Sequence, residues 1–138
     1  MLRFERAQYS VSKLIKMYND NKLVIEHNSE DDAENNSNNT AIIEAILVGL
    51  PITIIAKQER NGKLKVISSN IKSVIDFCNN KIPLADCQVY SELNGKFYND
   101  LNEFQHNCIL IPEIQVIKLM CSTSDSDIQN LLNIVKHI

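Results

Sequence analysis

The order of apolar and polar positions along the chain predicts alternating helices and strands. Residues 10–18 carry apolar side chains at helical spacing after a serine that can cap them, which predicts a first helix. Residues 23–26 form a short apolar run that favours a strand. A second helix is expected to begin at Thr40, as its cap, and to end at Gly49, because glycine followed by Pro51 favours termination.

Two Asn-Gly pairs, Asn61-Gly62 and Asn94-Gly95, each lie between short runs that favour strands. An Asn-Gly pair favours a tight hairpin turn because both residues tolerate a positive φ. The sequence therefore predicts two hairpins. The four candidate strands span residues 52–57, 63–67, 87–93 and 96–98.

The remaining pattern predicts further helices and one more strand. Residues 71–78 place apolar side chains at core spacing on a helix, and residues 100–105 predict a short helical turn. Residues 114–120 are mostly apolar, as expected of a strand in the interior of a sheet. Ser124 or Asp125 can cap a closing helix. The residues of that helix expected to face inward are Ile128, Leu131, Leu132 and Val135.

These elements predict one α/β (α+β) domain over residues 1–138, with a mixed sheet, two hairpins and flanking helices. The length of 138 residues falls within the usual size of a single domain. Residues 28–39 interrupt the periodicity with an acidic, Asn-rich stretch. That stretch is expected to be a solvated loop inside the domain.

The charge balance limits the partners that the whole surface can attract. The net charge is -3, so a general attraction to nucleic acid or anionic lipid is not expected. A local basic patch is still available on the first hairpin, where it can either contact nucleic acid or keep an exposed strand edge soluble. Its members are Lys57, Arg60, Lys63 and Lys65.

The four cysteines form no CxxC pair, and no apolar run is long enough to span a membrane. Reduced thiols in the cytoplasm or nucleus are therefore expected, with the cysteines buried as small apolar side chains. Three sites of other kinds fit the spacing poorly: a zinc site of Cys78, Cys87, Cys108 and His106; a Cys108–His106 dyad; and a metal site at His27 with Glu26, Glu30, Asp31 and Asp32. We expect no metal and no cofactor.

Three segments, in order along the chain, match the pattern of one known family. Residues 42–52 (IIEAILVGLPI) look like a family segment LIESILxGxPIP. Residues 65–67 and 74–77 resemble xVIDGQQR…LLDF, and residues 93–101 (LNGKFYNDL) are similar to LxGKxFxDL. The family is the ParB/sulfiredoxin-like domain at the N-terminus of GmrSD-type (Type IV) restriction enzymes. The resemblance implies a ParB/sulfiredoxin-like mixed sheet.

The resemblance also implies a site for nucleotides, which family members with activity bind or hydrolyse through DGQQR. In this chain Ser68, Ser69, Asn70 and Lys72 occupy that place, and the carboxylate is missing. The family's YQR motif falls near residues 28–30, where the charge is reversed. These two departures predict a degenerate member without catalysis. The same four residues could still bind an anion or a nucleotide, because they precede or begin a helix.

We therefore expect a non-catalytic, ParB/sulfiredoxin-like interaction module that binds protein or nucleic acid and no membrane. Two alternatives are a small structural subunit of a viral or phage particle, found in the virion, and a nucleotide-binding or NTP-hydrolysing defence protein. Heavy use of Asn, Ile and Lys indicates an AT-rich genome, bacterial or viral. A protein partner or self-assembly is expected.

Overall fold

The computed structural model describes residues 2–25, 36–68 and 71–137. Within those ranges the chain forms a five-stranded mixed sheet and five α-helices, which confirms the predicted α/β class. The strands are β1 (Phe4–Ser10), β2 (Leu23–Ile25), β3 (Thr53–Gln58), β4 (Leu64–Ser68) and β5 (Glu113–Leu119). The helices are α1 (Val11–Asn19), α2 (Asn36–Leu47), α3 (Ile71–Cys78), α4 (Glu103–Leu110) and α5 (Asp125–Val135).

The strand order across the sheet is β1-β5-β3-β4-β2. Strand β5 is interior, as its apolar sequence predicts, and runs parallel to β3 and antiparallel to β1. Strand β1 was not predicted from the sequence. It lies at an edge, where four of its first five residues are exposed, so it lacks the apolar pattern of a buried strand.

The main core lies between one face of the sheet and helices α1 to α4. Ile54 and Val116 from the sheet, Leu14 from α1 and Phe77 from α3 are each no more than 1% exposed. Side chains alternate along a strand, so the neighbours of the core residues point to the opposite face. Ile55 of β3 and Leu119 of β5 are buried on that opposite face, and they do not belong to the main core.

Helix α5 lies on that opposite face. Its Ile128 and Leu132 line a cavity together with Ile67 of β4, so these two residues face the sheet as predicted. Leu131 is half-buried like these two residues, whereas Val135 is 39% exposed, so the prediction that Val135 faces inward is wrong. The helix covers the sheet without contributing to the main core.

Helix α2 begins earlier than predicted. It starts at Asn36, so the predicted loop at 28–39 is helical in its last four residues, and Thr40 lies inside the helix instead of capping it. Its end agrees with the prediction. Gly49 adopts a φ of 84°, and the N–H groups of Gly49 and Leu50 bond to the carbonyls of Ile46 and Ala45 at 3.1 and 2.9 Å.

The first predicted hairpin is confirmed and the second is wrong. Strands β3 and β4 pair antiparallel, and the N–H of Glu59 bonds to the carbonyl of Lys63 at 2.8 Å across the turn. Residues 87–98 contain no strand; instead they carry two short 3-10 turns. Asn94 adopts φ -57° and ψ 133° before Gly95 at φ 81°, which is a type II turn and splays the flanking backbone.

Helix α4 is longer than the helical turn that the sequence predicts. The sequence indicated a helical turn at residues 100–105, whereas the helix runs over Glu103–Leu110 after a 3-10 turn at Tyr98–Asp100. Helices α2 and α4 pack on one another beside residues 84–97. This corner of the molecule holds the most developed surface feature.

Candidate interaction surface

Side chains of α2 hold the irregular segment 84–97 in place. Glu44 is 7% exposed, and its carboxylate accepts hydrogen bonds from three consecutive backbone N–H groups. The distances are 2.6 Å from Gln88, 2.8 Å from Val89 and 3.0 Å from Tyr90. These bonds satisfy three consecutive N–H groups of a segment that forms no strand.

Thr40 extends the same contact by one helical turn. Its Oγ1 accepts a hydrogen bond from the N–H of Ala85 at 2.8 Å, and residues four apart lie on one face of a helix. Asn94 closes the segment on itself, since its Oδ1 accepts from the N–H of Cys87 at 2.8 Å. The backbone of this segment is therefore fixed by three side chains, two of which come from a distant helix.

Glu44 is ionised at neutral pH. Burial raises the pKa of Glu44. Hydrogen bonds from the N–H groups of Tyr90, Gln88 and Val89 lower the pKa by a larger amount, so the net pKa lies below the ordinary value of glutamate. The consequence is a fixed negative charge directly beneath segment 84–97.

The start of α4 is fixed by a reciprocal cap. The side chain of Asn102 accepts from the N–H of Gln105 at 2.8 Å, and the side chain of Gln105 accepts from the N–H of Asn102 at 2.9 Å. One residue later, His106 stacks on Tyr98 with ring centroids 4.0 Å apart. Its Nε2 lies 2.8 Å from the Tyr98 carbonyl, which can only accept, so Nε2 carries the proton.

Tyr98 connects this stack to the main core. Its ring meets that of Phe77 edge-on, with centroids 6.0 Å apart and planes at 85°, and Phe77 is fully buried. Helix α4 is thus anchored at its N-terminal end by a cap, a ring stack and a core aromatic. A side chain that points outward from α4 is held in a defined position.

A groove of about 200 Å³ separates α4 from the end of α2. We call it the α2–α4 groove; its lining residues are Leu47, Tyr90, Glu92, Leu93, Asn102, Phe104, Gln105 and Cys108. Leu93 is 6% exposed, whereas Phe104 is 75% exposed. The groove therefore combines a buried apolar residue with an aromatic ring that stands in solvent.

An apolar row on α4 continues from the groove. Phe104, Cys108 and Ile111 are spaced four and three residues apart, so they lie on one side of the helix. We call these three residues the α4 stripe. Ile111 is 67% exposed, while Ile109, which belongs to the other side, is fully buried. The stripe extends about 10 Å along the helix.

The four candidates for anion or nucleotide binding are only partly described. Ser68 is the last residue of β4 and Lys72 lies in the first turn of α3, while Ser69 and Asn70 fall outside the described residues. The ammonium of Lys72 is 2.9 Å from Oδ2 of Asp76. A carboxylate at this distance opposes the approach of a phosphate. Within the described ranges, the buried Oδ1 of Asp76 has no hydrogen-bond partner.

The basic candidates do not form a uniform patch. Lys57 and Lys65 are cross-strand partners on β3 and β4. Both line a cavity of about 280 Å³ beneath α5, which they share with Glu59 and Asp125. The two other candidates lie towards the turn: Arg60, which is exposed, and Lys63, which is half-buried. The cavity is therefore of mixed charge.

The alternative cysteine and histidine sites find no geometric support. Among the described residues, no three His, Cys, Asp or Glu side chains come together as a metal site. His106 is bonded to Tyr98, and Cys108, two residues further along α4, points to a different side of the helix. The proposed ligands around His27 lie outside the described residues.

Sequence reasoning missed Glu44 and Phe104, which define this surface. The signal for Glu44 was a carboxylate within an apolar helical row, between Ile43 and Ile46. Such a residue is almost never buried without partners, so it indicates a set of donors elsewhere in the chain. Phe104 gave no signal, because an aromatic residue in a short helix is normally assigned to the core.

Comparison with known proteins found no family model, no curated protein and no solved structure that matches the chain. Among the residues that the structure describes, no helix is long and apolar enough to cross a membrane.

Proposed function

We propose that this chain is a non-catalytic protein-interaction domain that docks its partner on the α2–α4 groove and the α4 stripe. The observation that carries the proposal is Phe104, which is 75% exposed on a helix whose position is otherwise fixed. Large aromatic side chains on rigid elements are the usual anchors of protein interfaces, where they bury much area with little loss of entropy.

The energy available at Phe104 is substantial. An aromatic side chain buries 150–250 Å² in all, so roughly 150 Å² of this one is free to be covered, which is worth about 4 kcal/mol. Association costs about 4–15 kcal/mol in lost freedom of motion. Phe104 therefore needs support from further apolar contacts. Ile111 is 67% exposed on the same stripe, and Leu50, just beyond the end of α2, is 58% exposed.

The non-catalytic part of the proposal comes from the resemblance to a degenerate ParB/sulfiredoxin-like domain, which we retain as a proposed kinship. The segment from Ser68 to Lys72 stands where that family has its DGQQR motif, and it contains no carboxylate. The contact between Lys72 and Asp76 supports it, because it occupies the nearby cation with a carboxylate. A melting experiment with ATP or GTP and magnesium tests this part. We expect no shift, and a shift that Lys72→Ala removes would contradict it.

The proposed setting is intracellular, because a partner surface beside Cys108 functions best where thiols stay reduced. The experiment is affinity capture from an extract of the source cells with three baits: the natural protein, Phe104→Ser and Ile134→Ser. Ile134 is 59% exposed on α5 and is the matched apolar control. We expect a protein that the natural bait and Ile134→Ser retain equally and that Phe104→Ser loses.

The captured protein is then purified and titrated calorimetrically against the same three baits. Circular dichroism of Phe104→Ser shows that any loss of binding is not a loss of fold. The proposal fails if every retained protein binds Phe104→Ser as well as it binds the natural chain.

A further inference from the structure

Seven of the eight residues that line the α2–α4 groove come from residues 84–113, a range rich in carboxylates. Residues 84–113 contain one basic residue, Lys96, out of the chain's 14 lysines and arginines. The same range carries five carboxylates, which are Asp86, Glu92, Asp100, Glu103 and Glu113. Helix α2 adds Glu44 and contains no lysine or arginine. The stretch 84–113 therefore carries four more carboxylates than lysines and arginines, although the whole chain has a net charge of only -3.

Three of these carboxylates lie near the thiol of Cys87. Burial raises the pKa of the Cys87 thiol, and the nearby negative charges of Glu44, Glu92 and Asp86 raise it further. Glu92 also lines the groove itself. Glu103 immediately precedes Phe104 in the first turn of α4. A ligand that covers Phe104 thus comes close to carboxylates on two different elements.

The shape of the surface indicates a helical ligand. The α4 stripe presents apolar side chains at positions i, i+4 and i+7, which is the spacing by which one amphipathic helix packs against another. The groove beside the stripe can receive a large apolar side chain between Leu47 and Phe104. Two turns of helix are enough to cover the stripe.

We propose that the occupant of the α2–α4 groove is a basic amphipathic helix of a partner protein. This inference rests on the proposed docking function and adds the chemistry of the partner. Apolar residues on one side of that helix cover Phe104 and Ile111, and flanking lysines or arginines face Glu92 and Glu103. A second copy of this chain fits poorly, because two acidic corners would then meet face to face.

The test uses two synthetic amphipathic helices with the same apolar positions, one with lysines and one with glutamates on the polar side. Binding of fluorescein-labelled peptides is followed by anisotropy at low and at raised salt. We expect the lysine peptide to bind the natural protein at least about tenfold more tightly than the glutamate peptide, and this preference to shrink at raised salt. Phe104→Ser is expected to abolish binding of the lysine peptide.

Two double variants test whether the carboxylates near the groove cause the preference for the lysine peptide. The double variant Glu92→Gln with Glu103→Gln is expected to reduce the preference to less than about threefold. The control is Glu5→Gln with Glu59→Gln, which removes two carboxylates from β1 and the β3–β4 turn, away from the groove, and should preserve the preference. Circular dichroism spectra of all variants confirm that they fold.

The outcomes separate this inference from the docking function. If both peptides bind equally well and Phe104→Ser abolishes both, the groove docks helices but the basic partner is excluded. If neither peptide binds while the capture experiment yields a partner that depends on Phe104, the inference is overturned and the docking function stands. Lysine-peptide binding that persists in Phe104→Ser also overturns the inference, because the peptide then binds elsewhere.

Discussion

Replacing Glu44 by glutamine tests how segment 84–97 is held. The carboxylate accepts from three N–H groups at 2.6, 2.8 and 3.0 Å, whereas glutamine has one carbonyl oxygen and an NH₂ group that cannot accept. At least one donor loses its partner, and the others lose a charged acceptor. A hydrogen bond to a charged group contributes about 1.5–3 kcal/mol. We therefore expect Glu44→Gln to lower the free energy of unfolding by roughly 2–4 kcal/mol.

This change is large relative to the total stability of a domain, which is about 5–15 kcal/mol. The measurement is urea unfolding followed by circular dichroism at neutral pH, together with hydrogen exchange of the Val89 amide. The matched control is Glu92→Gln, which removes an exposed carboxylate from the same corner and should change stability by less than about 0.5 kcal/mol. A loss below that value in Glu44→Gln, with unchanged exchange at Val89, would refute the argument.

The same group predicts a pH dependence. The pKa of Glu44 is lower in the folded protein than in the unfolded chain, so the folded state favours the ionised form. Its contribution is present above the pKa of unfolded glutamate, about 4.3, and is lost as the pH falls through the folded pKa. Below about pH 4.3 the stability of the natural protein should therefore decline more steeply than that of Glu44→Gln.

Three further predictions concern other parts of the fold. Phe77→Ala should lower the free energy of unfolding by about 3–5 kcal/mol, because the Phe77 ring is fully buried. Phe104→Ala should lower it by less than about 0.5 kcal/mol, because Phe104 is 75% exposed. Urea unfolding measures both changes. Gly49→Ala should cost about 1–2 kcal/mol in the same assay, since φ at that position is 84°. Iodoacetamide should label the exposed Cys121 in the native protein faster than the half-buried Cys78, whose pKa burial raises to about 12.

Each of these has a result that would contradict it. Equal losses of unfolding free energy in the two phenylalanine variants would contradict the burial of Phe77 or the exposure of Phe104. A Gly49→Ala variant as stable as the natural protein would argue against the left-handed end of α2. Labelling of Cys78 as fast as that of Cys121, judged by mass spectrometry of the native protein, would show that the thiol is accessible.

Local signals in the sequence were sufficient for a large part of the fold. The extent of α3 follows from apolar spacing alone, and α1 follows from that spacing together with the cap at Ser10, whose Oγ accepts from the N–H of Lys13 at 3.1 Å. The first hairpin follows from Asn61-Gly62 between apolar runs, and the interior position of β5 from its apolar content. In these cases the residues that specify the element are also its members.

The candidate surface could not be predicted in the same way. The exposure of Phe104 depends on which side of α4 meets the core, and that choice is made by the stack of His106 on Tyr98 and by the buried Ile109. His106 and Ile109 can be read from the sequence, but their contacts form only when α4 packs against the core. The family resemblance directed attention to Ser68, which precedes α3, and to Lys72 in the first turn of α3, both earlier in the chain than this corner.

The two Asn-Gly pairs show the limit of what the sequence alone predicts. At Asn61-Gly62 the local preference and the tertiary structure agree, and a hairpin forms. At Asn94-Gly95 the same dipeptide makes a type II turn, in a segment whose residues 88–90 donate their N–H groups to Glu44, more than 40 residues away. Periodicity and the cap at Ser10 therefore determined α1 and α3, and the Asn61-Gly62 pair determined the first hairpin. The path of segment 84–97 depends on tertiary contacts, because Glu44 and Thr40, both on α2, accept hydrogen bonds from its backbone.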